Sequence, residues 1–171
     1  AIESIDGPDS AAQLAPITGL AFASNGDIYI ADYFHSVIRK FPADEKMIYT
    51  YAGGMDIRGD TDGPALEARF SAPFGVAVDD DGVVYVADTG NNKIRRISPD
   101  GMVSTLNDIL TGQFDIRDGI GGAPAFHNPM DLAVDHDGTL YVCDTGHHFI
   151  RKISPTGVVS LFAGKPHQFG E

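Results

Sequence analysis

Basic residues are scarce in this chain: 12 lysines and arginines stand against 24 aspartates and glutamates, a formal net charge of −12. A surface of that sign repels a phosphate backbone, so nucleic acid is not expected as a partner. Cysteine is scarcer still. The one thiol, Cys143, has no second cysteine for an internal disulfide, and its setting in Leu140-Tyr141-Val142-Cys143 reads as a strand, where a small buried thiol is ordinary. No apolar run approaches the roughly 20 residues that a membrane-spanning helix requires, so membrane insertion is not expected. Nor does a charged segment followed by an apolar one open the sequence, which begins at Ala1; the compartment stays open between cytoplasm and export. Helical periodicity is also missing, and the stretches 9–14 and 65–70 read as single turns within connections.

What remains is a soluble globular balance, 43% hydrophobic and 21% charged over 171 residues, enough for one domain with a sizeable core. That domain is repetitive. Tyr29, Tyr85 and Tyr141 recur at a spacing of 56, as do Asp32, Asp88 and Asp144, then Ile38, Ile94 and Ile150, then Arg39, Arg95 and Arg151. Asp-Gly pairs lead into each copy at Asp6-Gly7, Asp62-Gly63 and Asp118-Gly119. The whole unit repeats, which divides the single domain 1–171 into copies of about 5–60, 61–116 and 117–171.

Within the middle copy, residues 75–78 form a short β-branched run that stops at Asp79-Asp80-Asp81-Gly82, a tight-turn sequence. Further strands are expected at 83–87, 93–98 and 102–106, separated by Asp88-Thr89-Gly90-Asn91-Asn92 and Pro99-Asp100-Gly101. Both faces of 83–87 are apolar, so a sheet covered on both sides is implied. A stacked four-stranded antiparallel meander is the description of a β-propeller blade, whereas a β-helix would need shorter rungs. Long connections at 53–72 and 107–128 carry much of the variation between copies.

The string PFGVAVDDDGVVYVADTGNNKIRRI at 73–97 resembles the NHL repeat, and GDTDGPALEARFSAP at 59–73 resembles its longer variant common in bacterial proteins. The resemblance implies an all-β fold, a propeller of four-stranded antiparallel NHL blades with three blades in this chain. It does not select a function, because propellers of this kind serve as binding platforms, as RNA binders and, in related branches, as lyases and lactonases. Amidating lyases similar to the family place histidine in the Pro-x-Gly opening to bind zinc, and the residues there are Ile17-Thr18, Phe74 and Met130. Departures from the pattern are Asp131 at the head of the third copy's first strand, a first opening at Pro16-Ile17-Thr18-Gly19 that reads one residue longer, and Asn107-Asp108 where the outer copies have Ala-Gly.

Asp32, Asp88 and Asp144 end the second strands, where a carboxylate locks a turn by accepting backbone N–H bonds. Arg39, Arg95 and Arg151 repeat with them and are expected to pair with them. His35, Asn91 and His147 occupy one position in the turn between the second and third strands, with His148 beside the last; with Asp131 they form the candidate binding set on the loop face. A divalent cation held by imidazole and carboxylate is weighed there, but no two histidines show a zinc-site spacing, and no cofactor is expected. DIRGDTDG at 56–63 reads as a structural turn, since the distal ligand of a calcium loop is missing. Phe70 and Phe126 are expected to plug between blades.

Two functions are carried forward. One is a binding platform whose loop face takes a protein or a small polar ligand. The other is a metal-assisted hydrolase or lyase at the channel mouth around Asp131. Three blades leave two apolar faces bare, so a head-to-tail homodimer completing six blades is expected, unless the chain is half of a longer six-repeat protein.

Overall fold

Three antiparallel sheets follow one another along the chain. The structure is a computed structural model and describes residues 6–8, 11–12, 14, 16–106, 119–120 and 126–165. Sheet one contains β1 (Gly7–Pro8), β2 (Ile17–Phe22), β3 (Ile28–Asp32), β4 (Val37–Phe41) and β5 (Met47–Ala52). Sheet two contains β6 (Gly63–Pro64), β7 (Val76–Val78), β8 (Val84–Asp88), β9 (Lys93–Ile97) and β10 (Met102–Thr105). Sheet three contains β11 (Gly119–Ile120), β12 (Pro129–Val134), β13 (Leu140–Asp144), β14 (Phe149–Ile153) and β15 (Val158–Ala163). Each is a meander of its last four strands, with the two-residue strand on the outer edge: the order β1-β5-β4-β3-β2 recurs in all three.

That edge corrects the expectation of four-stranded blades. The residues after each lead-in aspartate lie against the outermost strand, Gly7 opposite Ile48, Gly63 opposite Val103 and Gly119 opposite Val159. Gly-Pro reads as a breaker, yet proline lacks only a donor and is tolerated where one strand edge faces solvent. A second correction concerns the first opening. Ile17 lies opposite Asp32 just as Pro129 lies opposite Asp144, with the same irregularity before Gly19 and Asp131, so Ile17 fills the proline's place and nothing is inserted. The Asn107-Asp108 exit lies outside the described residues.

The hairpins form where the sequence places them. Asp79 Oδ1 accepts the N–H of Asp81 at 3.1 Å and of Val83 at 2.8 Å, and Gly82 closes the turn at φ +80, which only glycine adopts without strain. Asp135 does the same for Asp137 and Thr139. Pro64 O accepts from both Glu67 and Ala68, the single helical turn expected at 65–70.

The core lies between the sheets rather than within one. Tyr29, Ala31, Ile38 and Ala52 of sheet one meet Val76, Val84, Val86 and Ile97 of sheet two, with Phe70 plugged between them. Ala77, Tyr85, Ala87 and Ile94 on the other side of sheet two meet Leu132, Leu140, Val142 and Ile153 of sheet three around Phe126. At the innermost strands the approach is closest: a Cβ on Gly19 would lie 2.7 Å from Phe74 O, and one on Gly75 would lie 2.7 Å from the Cα of Asp131. Among the described residues, the outward faces of sheets one and three have no such neighbour. Leu20 is 57% exposed, while its equivalents Val76 and Leu132 are 5% and 6% exposed.

The candidate functional site on the turn face

In every sheet the turn between the third and fourth strands (β3–β4, β8–β9 and β13–β14) lies against a connection between sheets. Gly90 N donates to Ser71 O at 2.8 Å, Gly146 N to His127 O at 2.7 Å, and Asp56 N to His35 O at 3.0 Å. Glycine is needed at 90 and 146 because a Cβ would fall within 2.6 Å of Ser71 O and within 2.5 Å of the His127 ring. Ser36, Asn92 and His148 each take a left-handed backbone that closes the turn. Ser36 Oγ then accepts the N–H of Ala72 at 3.2 Å and Asn92 Oδ1 that of Asn128 at 2.7 Å, tying each sheet to the next.

Beneath each turn sits a fully buried aspartate paired with a fully buried arginine. Asp88 accepts from Ser71 N, Asn91 Nδ2 and Arg95 Nη1, all at 2.8 Å. Asp32 accepts from His35 N at 3.1 Å and Arg39 Nε at 3.2 Å, with the His35 ring at 3.0 Å. Asp144 accepts from His127 N at 2.7 Å, has His147 Nδ1 at 2.9 Å and faces Arg151 at 3.7 Å. At 88 and 144 the backbone donor thus comes from the incoming connection, 17 residues earlier, and not from the residues that follow. Burial pushes the Asp88 carboxyl up, against the opposing pull of the Ser71 amide, Asn91 and Arg95. The arginines reach further: Arg95 also holds Asp62 at 2.5 Å and donates to Thr61 O and Arg69 O at 2.9 Å, and Arg39 also holds Asp6 and Thr50. Asp6 and Asp62 in turn accept the N–H and hydroxyl of Thr50 and Thr105, clipping the lead-in to the outer strand. Asp118, the third lead-in aspartate, lies outside the described residues.

His35, Asn91 and His147 therefore face inward onto Asp32, Asp88 and Asp144. His35 is 1% exposed, and the Asn91 Nδ2 that donates to Asp88 also donates to Gly59 O at 2.7 Å. His147 packs edge-on against His127, 5.4 Å between ring centroids, and His148 beside it is exposed. Asp131 stands apart on the innermost strand, opposite Cys143, with its carboxylate on the N–H of Leu132 at 2.9 Å. Among the described residues no three His, Cys, Asp or Glu side chains converge as a metal centre. Cys143 is exposed, contrary to its reading as a core thiol, because it lies on the outward face of sheet three. Partial desolvation and then the neighbouring Asp131 push its thiol pKa up.

Among the described residues, the exposed large apolar side chains of the turn face belong to sheet one and its outgoing connection. Tyr33 and Phe34 are 36% and 47% exposed, and Ile57, in the connection hydrogen-bonded to that turn, is 54% exposed. Phe34 stands edge-on to His35 at 5.1 Å and Tyr33 edge-on to Phe74 at 5.7 Å, so both rings are braced by residues beneath. Asp56, 69% exposed, lies 4.0 Å from the Nε2 of His35, the residue that follows them. The other copies have Thr-Gly at these two positions, 89–90 and 145–146. That departure from the repeat is the signal in the sequence, and two apolar rings carry it, not a titratable group.

Models of known families match in two places: a teneurin NHL domain over residues 54–113 and an NHL repeat over residues 126–153. NHL repeat-containing protein 2 of Bos taurus is 31% identical over 166 residues, covering 88% of this chain and 22% of that protein. Among solved structures, an auxiliary nutrient binding protein from Bacteroides thetaiotaomicron aligns with a TM-score of 0.69 and 22% identity, over 83% of this chain and 36% of that one. A streptogramin B lyase aligns with a TM-score of 0.57 and 22% identity, over 85% of this chain and 40% of that one. At that identity the two structures speak for the fold alone, which is all-β, antiparallel and propeller-like. The chain spans about a fifth of the mammalian relative and well under half of either solved chain. The sequence matches and the recurring sheet together place it: the chain belongs to the NHL-repeat family.

Proposed function

We propose that this chain is an interaction platform of the NHL type, docking a polypeptide on the turn face of sheet one. The observation that carries the reading is the braced, exposed set Tyr33, Phe34 and Ile57 beside Asp56. Aromatic rings held in place lose little entropy on binding and are the usual anchors of protein contacts. The exposed Asp56 and the net charge of −12 favour a partner segment with an apolar anchor and a basic flank. The buried Asp–Arg pairs below keep the turn rigid, so the surface is presented without ordering cost. Metal-assisted hydrolysis or elimination around Asp131 has less support, since the imidazoles proposed as its helpers are turned onto the buried aspartates. A displayed random peptide library panned against the whole chain tests the reading. Enriched peptides with basic flanks, whose binding is lost in Tyr33→Ser/Phe34→Ser and kept in Leu66→Ser, are expected. Enrichment that ignores the double substitution would overturn it.

The platform is completed, in this reading, by a second copy of the chain. The outward face of sheet one (Leu20, Phe22) corresponds by repeat to faces that sheets two and three bury. The outward face of sheet three (Tyr141, Ile150, Phe162) corresponds to faces that sheets one and two bury. Head-to-tail pairing sets these two faces together at both seams of a two-fold ring, giving six sheets, within the range in which propellers close.

A further inference from the structure

The two junctions within the chain are built by one set of rules, and the outward faces break those rules at four places. The innermost strands cross at glycine, Gly19 against Phe74 and Gly75 of the next sheet and Gly75 against Met130 and Asp131, with virtual Cβ contacts of 2.7 Å to backbone atoms in each case. The equivalent residue of sheet three is Asp131. Behind those glycines lie Ala31 and Ala87, both fully buried in their junctions, and their equivalent is Cys143. On the receiving side, the Ala72 and Asn128 amides donate across the junction to Ser36 and Asn92. Their equivalent in sheet one is Pro16, which has no N–H to give. Phe70 and Phe126 plug the two internal junctions, and Leu14 stands in the same place ahead of sheet one.

All four substitutions fall on the seam between sheet three of one copy and sheet one of another. Two of them add atoms where the internal junctions have none to spare, one deletes a hydrogen bond, and one shrinks the plug. Backbone cannot yield to a Cβ at 2.7 Å as a flexible side chain would, so the strands themselves must stand further apart. From these observations, and resting on the second-copy reading above, we infer that Asp131 holds this seam open: the junction between copies is wider and weaker than the two inside each chain, and the side-chain bulk of Asp131 is the main cause. The partner that fits the outward face of sheet three is thus a sheet whose first strand passes at a greater distance than β7 passes β2. A hollow of ≈ 280 Å³ lies on the inner strands, lined by Thr18, Gly19, Phe74, Met130 and Asp131, and in a closed ring the widened seam would open onto the same side.

Sedimentation equilibrium on the whole chain tests this with two substitutions. Asp131→Gly restores the residue of the internal junctions and is expected to tighten self-association by about 10-fold or more, as relief of an overpacked contact implies. Asp131→Asn keeps the bulk without the charge and is expected to match the wild type. A dimer whose affinity is unchanged or weakened by Asp131→Gly would overturn the inference and leave the second-copy reading standing. Equal tightening by both substitutions would also overturn it, since charge and not bulk would then be the obstacle. Monomers throughout, Asp131→Gly included, would remove the second-copy reading and this inference with it.

Discussion

Replacing Asp88 by alanine removes the acceptor for three donors at 2.8 Å: the Ser71 amide, Asn91 and the Arg95 guanidinium. Both Asp88 and Arg95 are fully buried, so water cannot substitute. Breaking a buried ion pair by removing one partner costs about 3–5 kcal/mol, because the remaining charge is left uncompensated. Here Arg95 keeps Asp62 and two carbonyls, which lowers that part, while the orphaned Ser71 N–H adds about 1–3 kcal/mol. A loss of about 3–5 kcal/mol is therefore expected for Asp88→Ala. Asp80 is the control. It is 75% exposed and lies 3.4 Å from the fully exposed His136, so Asp80→Ala should cost about 0–1 kcal/mol. Urea unfolding followed by circular dichroism measures both at equal chain concentration, and the midpoints should separate while the slopes stay the same. Two variants within about 1 kcal/mol of each other would refute the idea that these buried pairs lock the turn face.

Two further outcomes follow from the packing and the charges. Phe70→Ala and Phe126→Ala should each cost about 3–5 kcal/mol in the same unfolding assay, because each ring is at most 1% exposed and fills the space between two sheets; Leu66→Ala, 62% exposed, should cost almost nothing. Asp27 is held below the ordinary value of 3.8: burial alone would raise it, but Lys40, the Ala43 amide and Asn25 together outweigh burial. A depressed carboxyl adds stability above its unfolded pKa and loses it as pH falls through the folded one. The wild type should therefore lose stability more steeply than Asp27→Asn below about pH 4, and parallel acid titrations of the two would contradict this.

The sequence carries the period, the strands and the plugs because each depends on apolar residues whose spacing is visible locally. Tyr29, Tyr85 and Tyr141 mark the repeat, and Phe70 and Phe126 stand out as aromatics at one place in it. The Gly-Pro edge strands were not legible, since their pairing with β5 and β10 is set by Asp6 and Asp62 holding threonines more than 40 residues away. The Asp–Arg pairs were foreseeable from their shared spacing, but the amide donors to Asp88 and Asp144 come from a connection with no pattern of its own. Histidine at positions 35 and 147 reads as a candidate site because an imidazole can bind a metal or carry a proton. The fold places each ring on an aspartate, and the exposed pair Tyr33-Phe34 lies one step before the first of them. Cys143 reads as core in a strand seen alone; its exposure follows only from which face of sheet three lacks a neighbour.

The proposal that reaches furthest is that the outward faces of sheets one and three seat further sheets, supplied by a second copy. Sedimentation velocity of the wild-type chain at micromolar concentration tests it most directly. The account predicts a species of twice the 18.2 kDa chain mass in the upper part of that range, lost when Leu20 and Phe22 are both changed to serine. A stable 18.2 kDa monomer, or a closed trimer, would contradict it.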